Sequence, residues 1–148
     1  MFKSLRHVCA ALLSGVLAMA IASPGRAASG LVVIVSARNP VTALRADQVA
    51  ALFLGQAARF PDGIEAVPLD QPIGSPLRDT FYDRVANKSP ALLKAHWSKM
   101  VFTGRGQPPA ELPDSAAIRR KVAADPNAIG YIERDALDAS VHAVLVTQ

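Results

Sequence analysis

A short segment, residues 74–78, brings together residue types that suit the binding of an anion. Gly74 allows a backbone to approach a ligand closely, Ser75 offers a hydroxyl, and Arg78 offers a charged guanidinium. Ser75 is also a favoured helix N-cap, and Pro76 suits the first helical position. The segment therefore predicts a helix that starts at Ser75, and the partial positive charge of that N-terminus would favour an oxyanion beside Arg78.

Arg78 also has an interpretation that needs no ligand. A first helical turn usually carries Asp or Glu, and here the first acid is Asp79, one place after Arg78. As a solvated surface residue, Arg78 would pair with Asp79 or Asp83, an interaction worth about 0–1 kcal/mol. Ser75 would then be a structural cap alone. The spacing of these residues is compatible with both an anion site and a solvated Arg78.

A second polar segment follows a predicted helix further along the chain. Thr103, Gly104 and Arg105 supply a hydroxyl, a flexible backbone and a cation within one loop, which ends in Pro108 and Pro109. The loop could approach the Ser75 helix start and line the same pocket. The alternative is an ordinary connection between two elements, since Gly and Pro are common in the loops between helices and strands.

Residues 1–27 have the pattern of an export signal. Lys3 and Arg6 precede an apolar run at residues 8–22, and small residues stand at the expected positions before a cut after Ala27. The run is too short for an ordinary membrane-spanning helix of about 20 residues. We therefore expect a periplasmic protein whose single domain spans residues 28–148, with no membrane insertion after cleavage. Cys9 lies near the start of the apolar run, which argues against a lipid-anchored lipoprotein.

Charge and cysteine content exclude several classes of function. The full chain has a formal net charge of +4, but without Lys3, Arg6 and Arg26 the mature chain has 13 basic and 12 acidic residues, a net charge of +1. A basic footprint for nucleic acid is therefore not expected. The single cysteine leaves with the signal, so the mature chain has no disulfide and no thiolate chemistry.

The hydrophobic pattern predicts an α/β fold. The continuous apolar run at residues 31–35 is typical of a strand that is covered on both faces. The other predicted strands are residues 64–69, 128–132 and 141–146. The predicted helices are residues 45–54, residues 75–87, one that Ser89 caps, and one that Asp114 or Ser115 caps. In such sheets, ligands bind beyond the carboxyl ends of strands and beside helix N-termini.

The helix after Ser89 carries a large aromatic residue. Leu93, Trp97 and Val101 lie four residues apart, which predicts one apolar stripe that faces the core. Trp97 is therefore interpreted as a packing residue. His96 flanks the stripe and has no second histidine or carboxylate at a metal-ligand spacing.

Several short motifs resemble a known family when they are taken in order. These are Phe53-Leu54-Gly55, Pro61-Asp62-Gly63 with the strand after it, Gly74-Ser75 with Arg78 and Phe81, and Ala128-Ile129-Gly130-Tyr131-Ile132. Together they resemble the phosphate-binding, substrate-binding proteins of ABC transporters, in the type 2 periplasmic binding protein superfamily. The resemblance covers about residues 30–147. It implies one lobe of such a protein, with a mixed, mostly parallel sheet flanked by helices.

The resemblance also implies a site. Members of this family hold an oxyanion with helix N-termini, hydroxyls and an arginine, and the matching residues are Gly74, Ser75 and Arg78, with Thr103, Gly104 and Arg105 as possible neighbours. Three positions depart from the family pattern: Gln71 stands where an arginine is expected, Pro76 where a glycine is expected, and Leu77 where a threonine is expected. Pro76 also removes an N–H that would face a ligand.

Two functions follow as hypotheses. The first is capture of phosphate or a related small oxyanion, linked to a membrane transporter or a sensor. The second is an interaction module of the cell envelope that has kept the lobe and lost the ligand. An enzyme is not expected, because the mature chain has no cysteine nucleophile, no second glycine for a nucleophile elbow, and only His96 and His142 as histidines. No cofactor is expected.

Overall fold

The molecule is organised around a five-stranded sheet. A computed structural model describes residues 30–147, so the predicted signal peptide lies outside the described residues. The elements in chain order are β1 (Leu31–Ser36), α1 (Ala46–Phe53), β2 (Val67–Asp70), α2 (Pro76–Ala86), α3 (Pro90–Phe102), β3 (Ala110–Glu111), α4 (Ser115–Ala124), β4 (Ala128–Glu133), a 3-10 turn (Arg134–Ala136) and β5 (Val141–Thr147).

The strands are ordered β3-β2-β4-β1-β5 across the sheet. Strand β2 pairs in parallel with both β3 and β4, whereas β1 pairs antiparallel with both β4 and β5. Four of the five strands therefore run in one direction and only β1 runs against them. This arrangement confirms the expected α/β fold with a mixed, mostly parallel sheet.

Helices cover both faces of the sheet, and β1 shows the division. Every residue of β1 is buried, as its continuous apolar run predicts. Leu31, Val33 and Val35 belong to a core cluster on the side of α1, α2 and α3, and Val32 and Ile34 belong to a second cluster with α4. The alternation follows from the two-residue period of a strand.

Local capping sets where the helices begin. The hydroxyl of Ser75 accepts from the N–H of Arg78 at 3.5 Å, and the hydroxyl of Ser89 accepts from the N–H of Leu92 at 3.3 Å. Of the two candidates for the last helix, Asp114 is the cap. The predicted helix starts are therefore confirmed.

The second strand differs from its prediction. It begins at Val67 rather than at residue 64, because the residues before it pair with the preceding segment instead of with the sheet. Ala66 donates its N–H to the carbonyl of Ala58 at 3.0 Å, and Glu65 forms a bridge with Arg59. The two-residue strand β3 was not predicted, since a pair this short carries no periodicity.

Close packing of α4 on the sheet depends on Gly130 in β4. A Cβ atom at Gly130 would lie 2.5 Å from Cγ2 of Ile118 on α4, so only glycine permits this approach.

None of the helices in residues 30–147 is both long enough and apolar enough to span a membrane.

Candidate functional site

A buried carboxylate lies at the carboxyl end of β2. Asp70 is 1% exposed, and Tyr82 on α2 donates its phenol hydrogen to one of its oxygens at 2.7 Å. Tyr131 on β4 donates its phenol hydrogen to the other oxygen, which also accepts the N–H of Gln71 at 2.9 Å. Donors from a helix, a neighbouring strand and the turn after β2 therefore hold this carboxylate in one orientation.

Arg78 in the first turn of α2 contacts the same carboxylate. Its Nε lies 3.3 Å from Oδ2 of Asp70, its Cζ lies 5.3 Å from the centre of the Tyr82 ring, and its side chain is only 9% exposed. The interpretation of Arg78 as a solvated residue paired with Asp79 or Asp83 is therefore wrong. Asp70 lies eight residues earlier, and only the packing of α2 on the end of β2 brings the two together.

The guanidinium of Arg78 is only partly used. Among the described residues, Nε donates to Asp70 and neither Nη atom has a hydrogen-bond partner. A planar guanidinium can donate five hydrogen bonds, and two of its nitrogens can bind one oxyanion together. Arg78 is thus held in place through one nitrogen and retains donors for a ligand.

Burial changes the acidity of this cluster. Burial raises the pKa of Asp70, against the hydrogen bonds from Tyr131 and Tyr82 and the positive charge of Arg78. Burial and the neighbouring carboxylate of Asp70 raise the pKa of both Tyr82 and Tyr131 far above the ordinary value. Both phenols therefore stay protonated and act as donors to Asp70.

The N-terminus of α2 opens beside Arg78. Gly74 has a φ of +88°, a value that favours glycine, and no atom lies within 4 Å of where its Cβ would be. Ser75 caps the N–H of Arg78 and Pro76 has none, which leaves the N–H of Leu77 without a partner in the described part of the chain. One backbone donor, together with the helix dipole, is therefore available to an anion here.

A cavity of about 810 Å³ lies between the start of α2, one side of α3 and the segment that leads into β3. Its size falls within the range of about 300–1,000 Å³ that is typical of small-ligand sites. The larger apolar residues on its wall are Ile73, Leu93, Trp97, Val101, Pro108 and Pro109. Val101 is 45% exposed, so its predicted place in the core is wrong and it contributes to this wall instead.

Four charged residues line the same cavity. Arg78 and Lys94 carry positive charge, and Asp79 and Glu111 carry negative charge. The carboxylate of Glu111 accepts the N–H of Ile73 at 2.6 Å, so one of its oxygens is already bound to the protein. The formal charges on the wall balance, and an anion would gain little from net charge alone.

The predicted site residues separate into two groups in the structure. Gly74 and Arg78 line the cavity, and Ser75 lies between them as the cap of α2. Thr103, Gly104 and Arg105 are exposed and do not line it.

The loop with Thr103 has a structural role at the end of α3. The hydroxyl of Thr103 donates to the carbonyl of Lys99 at 2.7 Å, and the N–H of Arg105 donates to the carbonyl of Met100 at 2.9 Å. Gly104 between them has a φ of +67°. These contacts satisfy carbonyl groups at the helix C-terminus, which is a common way for a helix to end.

Gln71, at the position where the resembled family carries an arginine, is buried and bound within the protein. Its side-chain amide donates to the hydroxyl of Ser115 at 3.2 Å and to the carbonyl of Tyr131 at 3.3 Å. Ser115 in turn donates to the carboxylate of Glu133 at 2.9 Å. Gln71 thus links α4 to β4, and it does not line the cavity.

Trp97 on α3 has an unpartnered polar atom. The residue is 7% exposed and lines the cavity, and its indole Nε1 has no hydrogen-bond partner among the described residues. A buried donor without a partner costs about 1–3 kcal/mol. The packing prediction for Trp97 is confirmed, since it belongs to the core cluster on the side of α1, α2 and α3.

The histidines bind backbone atoms in the described part of the chain. Nε2 of His96 lies 2.9 Å from the carbonyl of Leu54, and Nε2 of His142 lies 2.7 Å from the carbonyl of Val41. Residues 30–147 contain no group of three or more His, Cys, Asp or Glu that could hold a metal ion.

Sequence reasoning missed the Asp70 cluster. Asp70 follows a predicted strand, and polar residues at the carboxyl end of a strand often reach a ligand site. This position could have identified Asp70 as a candidate. Tyr82 lies one helical turn after Arg78, so the spacing also predicts that the two side chains share one face of the helix. The contribution of Tyr131 could not be predicted in this way, since it lies 61 residues from Asp70 in the sequence.

Solved structures with the same fold include several phosphate-binding proteins. A phosphate ABC transporter substrate-binding protein from Clostridium perfringens, solved with bound phosphate, is 28% identical with a TM-score of 0.61. A phosphate transport receptor from Vibrio cholerae is 19% identical with a TM-score of 0.62, and PstS from Borrelia burgdorferi is 13% identical with a TM-score of 0.58. No protein-family model and no curated protein matches the chain.

These similarities extend over most of this chain but over only part of each neighbour. The matches cover 76–78% of this chain and 44–45% of the three neighbours, so the chain spans less than half of their length. The identities are low, and the shared property is the arrangement of strands and helices. The chain resembles the phosphate ABC transporter substrate-binding proteins and has the fold of one lobe of such a type 2 periplasmic binding protein.

Proposed function

We propose that this protein binds phosphate or a related oxyanion at the N-terminus of α2, as a periplasmic substrate-binding-like protein linked to transport or sensing. The ligand would contact the guanidinium of Arg78, the N–H of Leu77 and the hydroxyl of Ser75. Gly74 would let the backbone approach it. The proposal assigns binding rather than catalysis to the site.

One observation carries this proposal. Arg78 is buried, is oriented by Asp70 and Tyr82, and lines an open cavity with both Nη atoms free of partners among the described residues. An arginine held by a carboxylate loses less conformational freedom when it binds an anion than one on the surface does. The bound phosphate in the Clostridium perfringens neighbour supports the same ligand class.

Titration calorimetry with phosphate and with sulfate tests the proposal. We expect heat of binding at millimolar or lower ligand, and we expect Arg78→Gln to weaken binding at least tenfold. Arg59→Gln is the control, since Arg59 is exposed and donates to the carbonyl of Gly63 away from the cavity. Absence of heat with folded protein, or equal effects of the two substitutions, would contradict the proposal.

A second function is favoured by a different observation. Asp70 already supplies a carboxylate to Arg78, and two large apolar residues are exposed, Ile73 at 77% and Phe102 at 93%. Exposed apolar groups of this kind occur at protein interfaces. The protein would then be an interaction module of the cell envelope. Capture of one partner from a periplasmic extract, with equal yield with and without phosphate, would favour this function over the first.

A further inference from the structure

We propose that the cavity takes an organic oxyanion, with an apolar group about the size of an aromatic ring, in preference to inorganic phosphate. This inference rests on the proposed oxyanion function and names its substrate class. The anionic head would bind at Arg78 and the α2 N-terminus, and the apolar group would lie along α3.

The size and the wall of the cavity carry the argument. About 810 Å³ is far more space than an inorganic oxyanion fills, and the wall beyond Arg78 is formed largely by apolar side chains of α3 and of the segment before β3. Leu93 and Trp97 form its buried part, and Val101 forms its exposed part. A ligand that buries an apolar group there removes apolar surface from water, whereas phosphate alone leaves the wall hydrated.

The charges around the cavity point to the same class. Arg78 and Lys94 are matched in number by Asp79 and Glu111, so the wall has no formal net charge that would attract a bare anion. Affinity must therefore come from contacts other than net charge. Arg78 still orients the head through its free Nη donors, and the apolar wall supplies the remaining free energy of binding.

Trp97 provides an independent observation and a direct readout. It lines the cavity with a side chain that is almost wholly buried, and its indole N–H has no partner among residues 30–147. Trp97 is also the single tryptophan of the chain. A ligand that lies along α3 therefore changes the only tryptophan fluorescence that the protein emits.

The test compares three probes: phenylphosphonate, methylphosphonate and inorganic phosphate. We titrate each into the purified protein and follow calorimetry and Trp97 fluorescence. Phenylphosphonate is expected to bind at least tenfold more tightly than either of the others, which corresponds to about 1.4 kcal/mol. It is also expected to shift the Trp97 emission, while inorganic phosphate leaves the emission unchanged.

Two neighbouring residues supply matched variants. Val101 lines the cavity and Phe102 does not, and both are exposed enough to be replaced without opening the core. Val101→Ser is expected to weaken phenylphosphonate about threefold to tenfold and to leave methylphosphonate unchanged. Phe102→Ser is expected to change neither.

Each other outcome has a distinct meaning. Equal affinity for phenylphosphonate and inorganic phosphate, or equal effects of Val101→Ser and Phe102→Ser, overturns this inference and leaves the proposed oxyanion function standing. If benzyl alcohol, a neutral probe, binds as tightly as phenylphosphonate, the oxyanion function fails while the apolar cavity stands. If none of the anions binds to folded protein, both are overturned.

Discussion

Two helices of this protein begin beside an arginine that is paired with an aspartate, but the two pairs lie in opposite surroundings. Arg45 and Asp47 at the start of α1 are 2.8 Å apart, with side chains that are 71% and 69% exposed. Arg78 and Asp70 at the start of α2 are 3.3 Å apart, with side chains that are 9% and 1% exposed. The shorter ion pair is the solvated one. Burial, and not distance, therefore distinguishes the pair at the candidate site from the pair on the surface.

The two arginines also differ in how they use their donors. Arg45 donates from Nε and Nη2 to both oxygens of Asp47, whereas Arg78 donates to Asp70 from Nε alone. Arg45 thus uses two of its three nitrogens in a bidentate contact with its partner. Arg78 is positioned by its partner and keeps donors for a ligand, which is the property that a binding site needs.

The carboxylates respond in opposite directions as well. The hydrogen bond from Arg45 lowers the pKa of Asp47, whereas burial raises the pKa of Asp70 despite its several donors. Solvation of the charged form is what differs between the two sites. The following predictions test how far the two pairs differ.

The largest effect is expected from Asp70→Asn. This change leaves a buried guanidinium without its counter-charge and replaces one of the two acceptor oxygens with an NH2 donor, so the free energy of unfolding should fall by about 3–5 kcal/mol. Urea denaturation followed by circular dichroism measures it. Asp47→Asn is the matched control, and its denaturation midpoint should not change measurably. Equal midpoints for the two variants would contradict the comparison.

Alkaline titration gives a second test, because the chain has only two tyrosines and both belong to the buried cluster. The pKa of Tyr82 and Tyr131 is raised in the folded state, so above about pH 10 the folded protein holds protons that the unfolded chain releases. This stabilising contribution is complete below pH 10. Above it, stability should fall by about 1.4 kcal/mol per pH unit for each tyrosine.

The readout is absorbance at 295 nm, with circular dichroism recorded in parallel. Both phenolates should appear together and only as the protein unfolds. Asp70→Asn serves as the comparison, since removal of the neighbouring negative charge should bring phenolate formation to lower pH in whatever fraction remains folded. A gradual phenolate signal near pH 10 in fully folded wild-type protein would show that the cluster is not closed to water.

A smaller effect is expected from Tyr82→Phe. The change removes one hydrogen bond to the buried carboxylate of Asp70 and keeps the ring, so the free energy of unfolding should fall by about 1.5–3 kcal/mol. Urea denaturation measures it, and the double variant with Asp70→Asn should lose less than the sum of the two single losses. Additive losses would mean that Tyr82 stabilises the fold by packing and not through Asp70.

The smallest effect concerns salt. At about 1 M salt the screening length is about 3 Å, so the pKa of exposed Asp47 should rise towards its ordinary value. The buried pair of Arg78 and Asp70 should respond little. Carbon NMR of the carboxyl groups, recorded against pH at low and high salt, measures both in one sample. Equal changes in the pKa of Asp47 and Asp70 with salt would contradict the contrast between the two sites.

Local signals in the sequence were sufficient for much of the fold. Ser75, Ser89 and Asp114 begin helices because each offers a side-chain acceptor to an N–H in the first turn, an interaction that spans three residues. The apolar run of β1 predicted a strand that is buried on both faces, since no polar residue interrupts it. Strand β2 was less predictable because neighbouring residues pair with different partners.

The features of the candidate site also divide into those that local sequence predicts and those that depend on packing between distant segments. A glycine, a cap and an arginine come together at one helix start because they are close neighbours in the chain, so the sequence was enough to predict their arrangement. The contacts of Arg78 depend on segments that are distant in the sequence. Its carboxylate partner comes from β2, a phenol that donates to that carboxylate comes from β4, and much of the cavity wall comes from α3. Burial and counter-charge arise from packing between distant segments, and no local pattern encodes them.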